Sequence, residues 1–483
     1  MFNSVSALTK IPDSWEGCSN VTSMYRTFNG CHRLKNIPSI WRGLEKVTTL
    51  EWAFRNCRSL KSIPENFDTF KNVETMMQCF ENCNELEINE LSFSGLYSLK
   101  ETEYYDPVYG EYHTSYGLEK TFYCCKKINK IKSWEGLKNI TSLDKTFAHT
   151  KIDSLPESWE GLENVTIATE TFAECNFENI PNSWEGLNNL VDATNMFANC
   201  TNLKEIPKYW YGFDKLENMN LIFYGCSNLE AIPSKYDGLN NVDNVSSAFE
   251  SCTNLKSIPS NFEGLEKVTN TYSMFRDCGS IETRIDSFRG LSSVTDARNM
   301  FENCLSLQEV SSWEGLDVVE NLSCMFKNCS NLLSIPNRFS GLGFITTSDM
   351  TTVSMFEDCV KLATSIISYE ALSKVTNASS MFKNCKSITN IPSSWDGLDN
   401  VTLLSSFCSG CINLEKIPDS WSGLSSVVSI ERIFYECSSV VTGGEQDIDS
   451  EHLGNLNNCE EAFYGMTSWT ADASEIYRQM NNL

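Results

Sequence analysis

Cysteines, 21 of them, are the side chains in this sequence most able to do chemistry. As thiolates they could attack a substrate, exchange disulfides or hold zinc, provided that they cluster with histidine or with one another. One pair has redox-motif spacing, Cys408 and Cys411 in C-S-G-C. No second C-x-x-C or histidine pair completes a zinc site, and His32, His113, His149 and His452 stand far apart. Acidic groups gather at Asp447, Asp449 and Glu451 in EQDIDSEH. Calcium is one reading of that cluster, and a solvated loop is the default. No nucleophile elbow, phosphate loop or zincin helix is present, and an odd cysteine total forbids complete pairing. The residues predict no enzyme, no metal and no cofactor.

What positions the cysteines is a repeat. Met381 opens MFKNCKSITNIPSSWDGLDNVT, and Met196 and Met300 open close copies. The unit is M-F-x-N-C-x-x-L-x-x-I-P-x-S-W-x-G-L-x-x-V-T followed by four variable residues. Its aromatic anchor recurs from Phe2, Phe28, Phe54 and Phe80 to Phe434 and Phe463, with Cys408 taking one slot. That makes 18 coils, and 14 of the 17 steps are 25 or 26 residues. Three residues after the anchor stands Cys in 15 coils, with Val5, Thr150 and Met466 substituting, which suggests a buried slot for a small-to-medium group. Eleven of the twelve prolines share one column, where no ladder donor is needed. The Gly of W-x-G-L suits a corner of positive φ.

Apolar residues about three apart turn inward at successive corners of a coil and follow neither a helix nor a long strand. The fold class is therefore a repeat solenoid of the leucine-rich-repeat type. We place a short parallel strand at V-T-x-x, a tight helical or 3-10 turn around M-F-x-N-C, and an extended segment at L-x-x-I-P. The solenoid is expected over 1–469, closed by an amphipathic cap helix at 470–483 (TADASEIYRQMNNL). Both members of C-S-G-C fall in repeat columns, which reads them as core thiols.

The unit S-W-x-x-L-x-N-V-T-x-x-x-x-M-F-x-N-C resembles the repeat of BspA-like leucine-rich-repeat surface proteins, and the likeness runs from Met1 to about Trp469. It implies a cell-surface or secreted solenoid used for adhesion to a protein or glycan. No basic start followed by an apolar run opens the chain, so no secretory signal is visible. A structural part of a larger assembly, such as a virion or filament, is the alternative. Met1-Phe2 already occupies the anchor columns, so a partner or upstream segment is expected to cover the first coil.

Two insertions fall in one phase, between the V-T strand and the next anchor: about 16 residues between Leu99 and Phe122, and about four between Ile345 and Phe356. Insertions in one phase emerge on one face, often the binding face. The first, over about 102–116, carries Tyr104, Tyr105, Tyr109, Tyr112 and Tyr116 in an acidic loop. Tyrosines in such a loop suit partner contact or the covering of a flank. Tyr25, Trp52, Tyr272 and Arg298 lie in the same phase and complete the candidate partner-binding set. With 38 basic against 63 acidic residues, net −25, the composition disfavours nucleic acid and anionic membrane. No stretch reaches the length of an apolar membrane span.

Overall fold

A coil of 25 or 26 residues has to satisfy its own backbone and still hold its neighbours, because buried N–H and C=O groups go unpaired only at a cost. The computed structural model describes residues 2–64, 67–106, 111–344 and 351–482, and excludes the side chains of 104–106, 111–113 and 344. It shows how each coil divides its donors. Some close tight turns: Thr27 N–H donates to Met24 C=O, Cys31 to Phe28 and Leu34 to Cys31, at 3.0–3.1 Å. Alternate ones reach the next coil: Met24 donates to Thr49, Arg26 to Glu51, Phe28 to Ala53 and Gly30 to Arg55, at 2.8–3.1 Å.

The tight helical or 3-10 turn expected around M-F-x-N-C takes the form of separate i→i−3 turns linked in series, with no continuous helix. In a helix every donor would be spent inside the coil, and nothing would stitch it to its neighbour. Switching donors requires two left-handed residues per coil, two before and two after the anchor, as at Trp52 (φ 55°) and Asn56 (φ 60°). Each non-glycine residue there costs roughly 1 kcal/mol of backbone strain, offset by the bonds between coils. The second position favours asparagine, which tolerates this conformation and stacks on its counterparts: Asn82 Nδ2 donates to Asn56 Oδ1 at 3.0 Å, and Asn328 to Asn303 at 2.9 Å. Gly43 has φ 97°, and a Cβ there would sit 2.3 Å from the Trp15 carbonyl oxygen.

The V-T-x-x segments pair in parallel as expected, mostly through single-residue bridges such as Ser23–Thr49–Thr75 and Asn377–Leu403–Ser429. A second parallel ladder follows L-x-x-I, as in Asn390–Lys416–Thr442. The first insertion is an antiparallel hairpin, not an open loop: Thr102–Asp106 pairs with Glu111–Ser115, setting Tyr104 opposite His113 and Tyr105 opposite Tyr112. Residues 345–350, which hold most of the second insertion, lie outside the described residues.

Packing divides the chain into two compact units, Met1–Val242 and Asp243–Leu483. Each has a core of stacked columns. In the first unit the anchors Phe28, Phe54 and Phe80 stack at 5.4 and 5.6 Å, and Trp134, Trp159 and Trp184 stack at 6.0 and 6.3 Å. In the second, Phe249, Phe275 and Phe301 repeat at 5.5 Å. Burying such a ring contributes about 2–3 kcal/mol. The second unit closes with the helix Ala473–Met480, N-capped by Asp472 and burying Ile476 and Met480. Its Tyr477 hydroxyl accepts from Phe463 N–H at 2.9 Å.

Candidate interaction face

The cysteine column has a sharper role than filling space. Each thiol donates to the carbonyl of the anchor one coil earlier: Cys57 to Phe28 at 3.2 Å, Cys200 to Phe172 at 3.1 Å, Cys304 to Phe275 at 3.2 Å. A residue that is both compact and a weak donor suits this slot, which explains cysteine over alanine and the hydroxyl of Thr150, 3.3 Å from Cys175 Sγ. All 21 cysteines are free. Burial pushes thiols such as Cys200, Cys304 and Cys408 far above the ordinary range, so they persist as unreactive thiols. Cys408 and Cys411 are both buried.

The acidic cluster is likewise used locally. Asp449 Oδ1 accepts from the N–H groups of Glu451 and His452 and from His452 Nδ1 at 2.8–3.1 Å, capping the short helix Ser450–Leu453. That hydrogen bond holds the Asp449 carboxyl below its ordinary range and raises His452. Ligand-type atoms of Asp447, Asp449 and His452 lie within 4.8 Å of one another, so His452 and not Glu451 completes the group.

The outward residues around each anchor form the molecule's most differentiated surface. Tyr25 and Trp52 are brought together, ring centroids 6.5 Å apart. Arginines that no motif singled out complete the cluster. Arg26 lies 3.9 Å over the Trp52 ring, Arg55 lies 4.6 Å over it, and Arg55 forms a two-point ion pair with Glu81 at 2.9 Å. In the second unit Tyr272 and Arg298 also meet, 5.3 Å from guanidinium to ring, with Arg298 anchored on Asp296 at 2.7 Å. The side chains of Tyr104, Tyr105 and Tyr112, and the whole of Tyr109, lie outside the described residues. The hairpin's base is fixed, since Ser115 is buried and its hydroxyl lies 2.5 Å from that of Thr75.

The column immediately after the anchor carries no signal in the repeat consensus. In the first unit, after Asn29, Arg55 and Glu81, it reads Tyr123, Ala148, Ala173, Ala198 and Tyr224, a buried apolar strip with a tyrosine packed at either end. In the second unit it alternates in sign through Glu250, Arg276, Glu302, Lys327, Glu357 and Lys383, and then reads Ser409, Tyr435 and Tyr464. Arg276 bridges Glu250 at 3.8 Å and Glu302 at 3.1 Å, while Glu357 bridges Lys327 at 2.8 Å and Lys383 at 2.9 Å. Burial alone would raise the Glu357 pKa, yet the two ammonium groups hold it down to about 2. Aligning the coils on their anchors and reading that column would have revealed both patterns.

Grooves repeat along the I-P column, for example about 850 Å³ between Asp153–Glu157 and Asn176–Asn182 and about 570 Å³ between Lys204–Tyr209 and Glu230–Ser234. Their recurrence in one phase marks them as a property of the repeat. An apolar groove of about 680 Å³ at the first coil is lined by Phe2, Ile11, Trp15, Met24 and Phe28. Among the described residues no helix is long and apolar enough to cross a membrane.

Three solved bacterial structures are similar to this chain. A leucine-rich-repeat protein from Bacteroides ovatus shares 20% identity over 85% of this chain and 82% of its own, with a TM-score of 0.46. A leucine-rich cell surface protein from Faecalibacterium prausnitzii shares 20% over 74% and 79%, with a TM-score of 0.36. A leucine-rich-repeat protein from Eubacterium ventriosum shares 19% over 62% and 80%, with a TM-score of 0.33. Comparison with curated proteins gives no match. Residues 1–94, 116–236, 217–339 and 348–476 each match the family described as "Mycoplasma protein of unknown function, DUF285", and the chain, a leucine-rich-repeat solenoid, belongs to that family.

Proposed function

We propose that the protein is a non-catalytic interaction scaffold, displayed at a cell surface, that binds a protein or glycan through the anchor-side face of its coils. One observation carries this reading. The turns around the anchors hold aromatic and arginine side chains outward in preset clusters, Tyr25 with Arg26, Trp52 and Arg55, and Tyr272 with Arg298. The tyrosine-bearing hairpin leaves the coils in the same phase. Aromatic and arginine side chains dominate binding hot spots because they offer large contact area and planar donors at low entropic cost. The resemblance of the repeat to BspA-like surface proteins supports the cell-surface and adhesive part of the reading.

The test is binding to a panel of immobilised extracellular-matrix proteins and glycans. Two variants are compared with the parent chain: residues 102–116 replaced by a short Gly-Ser link, and Tyr25→Ala with Trp52→Ala. Loss of at least tenfold in affinity is expected for one or both, with thermal unfolding unchanged. Undiminished binding by both variants would remove the anchor-side face from the function.

A further inference from the structure

The first coils of this acidic chain are basic. Residues 1–64 hold nine basic side chains against four acidic ones, a net +5. Residues 65–242 hold 14 basic against 28 acidic, a net −14. The kind of base differs too. Arg26, Arg33, Arg42, Arg55 and Arg58 are the arginines of the first unit, and every basic residue from 59 to 242 is lysine. Lysine suffices for solubility and point charge, whereas arginine offers a planar fork that matches carboxylate and sulfate oxygens two at a time.

Four of these arginines lie within five residues of two successive anchors, Phe28 and Phe54. Arg26 and Arg55 lie over the Trp52 ring, which holds their guanidinium groups in place. Arg58 follows Arg55 in the same turn and occupies the column of His32, one coil on, with Arg33 beside it. Arg33, His32 and Arg58 are exposed, and neither Arg33 nor Arg58 has an ion-pair partner among the described residues. Anchors of these coils stack at 5.4 Å, so the corner presents its cations at about that step.

We propose that this corner docks a short acidic glycan, its sulfate or uronate carboxylate groups taken by Arg33 and Arg58 and flanked by Arg26 and Arg55. The inference rests on the anchor-side face being the binding surface. An acidic peptide fits less well, because the turn from Met24 to Gly30 has its alternate main-chain donors already committed. The N–H groups of Met24, Arg26, Phe28 and Gly30 already donate to the next coil, and the carbonyls of Thr27 and Asn29 already accept from Phe2 and Ser4. Recognition must therefore run through side chains. Nucleic acid and anionic membrane carry dense charge well beyond a patch of +5, where they meet the net −14 of the neighbouring coils.

The full chain is tested by calorimetry at low salt against a heparin-derived octasaccharide, a hyaluronan octasaccharide, poly-glutamate, a DNA oligonucleotide and phosphatidylserine vesicles. Binding of either octasaccharide is expected, weakening with added salt, and Arg33→Gln with Arg58→Gln is expected to lower it at least tenfold. Lys35→Gln with Lys61→Gln removes the same charge from the neighbouring L-x-x-I ladder, and a loss below threefold is expected. The sulfated and the carboxylate-only sugars separate the two sources of oxyanion. Equal losses from the two double variants, tighter binding of poly-glutamate, DNA or vesicles, or no binding of either sugar would overturn the proposal. If the arginine variant binds normally while replacement of residues 102–116 abolishes binding, the arginine corner is wrong and the anchor-side face stands.

Discussion

The same backbone slot, one residue past the anchor, is built in opposite ways in two runs of coils, one in each unit. In the first it is the strip Ala148, Ala173 and Ala198 between Tyr123 and Tyr224. In the second it is a file of six charges of alternating sign, in which Glu357 touches Lys327 and Lys383 together. Geometry imposes neither choice, because both runs sit on the same turns with the same anchor stacked beneath them. A column of charges, in which each residue meets its equivalents one coil away, can neutralise itself only if its sign alternates. The charged file does this and has little left for a partner. The apolar strip instead buries Ala148, Ala173 and Ala198 together, so it is satisfied by exclusion of water where the file is satisfied by ion pairs.

The largest effect should come from removing what the units share. Phe172→Ala in the first and Phe301→Ala in the second each delete a fully buried stacked ring, and each should cost about 3–5 kcal/mol. Chemical denaturation that found one of them nearly neutral would show that the units do not share an equivalent core.

Glu357→Gln should cost about 2 kcal/mol, because it leaves two half-buried ammonium groups facing an uncharged amide. The pH dependence has a definite sign. With its folded pKa held down to about 2, the Glu357 carboxylate stabilises the fold fully above its ordinary pKa near 4.5. That contribution is lost as pH falls from about 4.5 toward 2, and the variant should show a shallower acid destabilisation in that window. Parallel melting curves across those pH values would contradict the role given to the file.

The smallest effect is expected in the strip. Ala173→Ser adds one hydroxyl to a buried position, and it should cost about 1 kcal/mol, since the same column accommodates the buried Ser409 in the second unit. A loss of several kcal/mol in thermal or denaturant unfolding would show that the column tolerates no polar group in this run of coils, contrary to its use in the second unit.

The columns were legible because their members are interchangeable. Every anchor but Cys408 is aromatic, and only stacked coils of equal length require such a residue at a regular step of 25 or 26. The turns differ from expectation for a specific reason. Of the two left-handed positions in each coil, the one after the anchor signals itself through Asn56, Asn82 and Asn199, whereas the one before it is filled by Arg26, Trp52, Gln78 and Lys120, residues with no preference for positive φ. Nothing in their type announces the conformation, which is forced by the need to hand alternate donors to the next coil. In the insertion, the run K-E-T-E-Y-Y-D did not declare a strand, and its pairing with Glu111–Ser115 is a cross-strand property.

By itself, the sequence determined the fold class, the depth of each column and the absence of a recognisable catalytic motif. Those follow from composition at fixed spacing, and burial enforces it residue by residue. Only the tertiary structure decided that cysteine serves as a hydrogen-bond donor, that Arg26 and Arg55 share Trp52, and that one charged column neutralises itself. Each of these depends on residues about 26 positions apart being brought within a few ångströms, a proximity that exists only once one coil lies on the next.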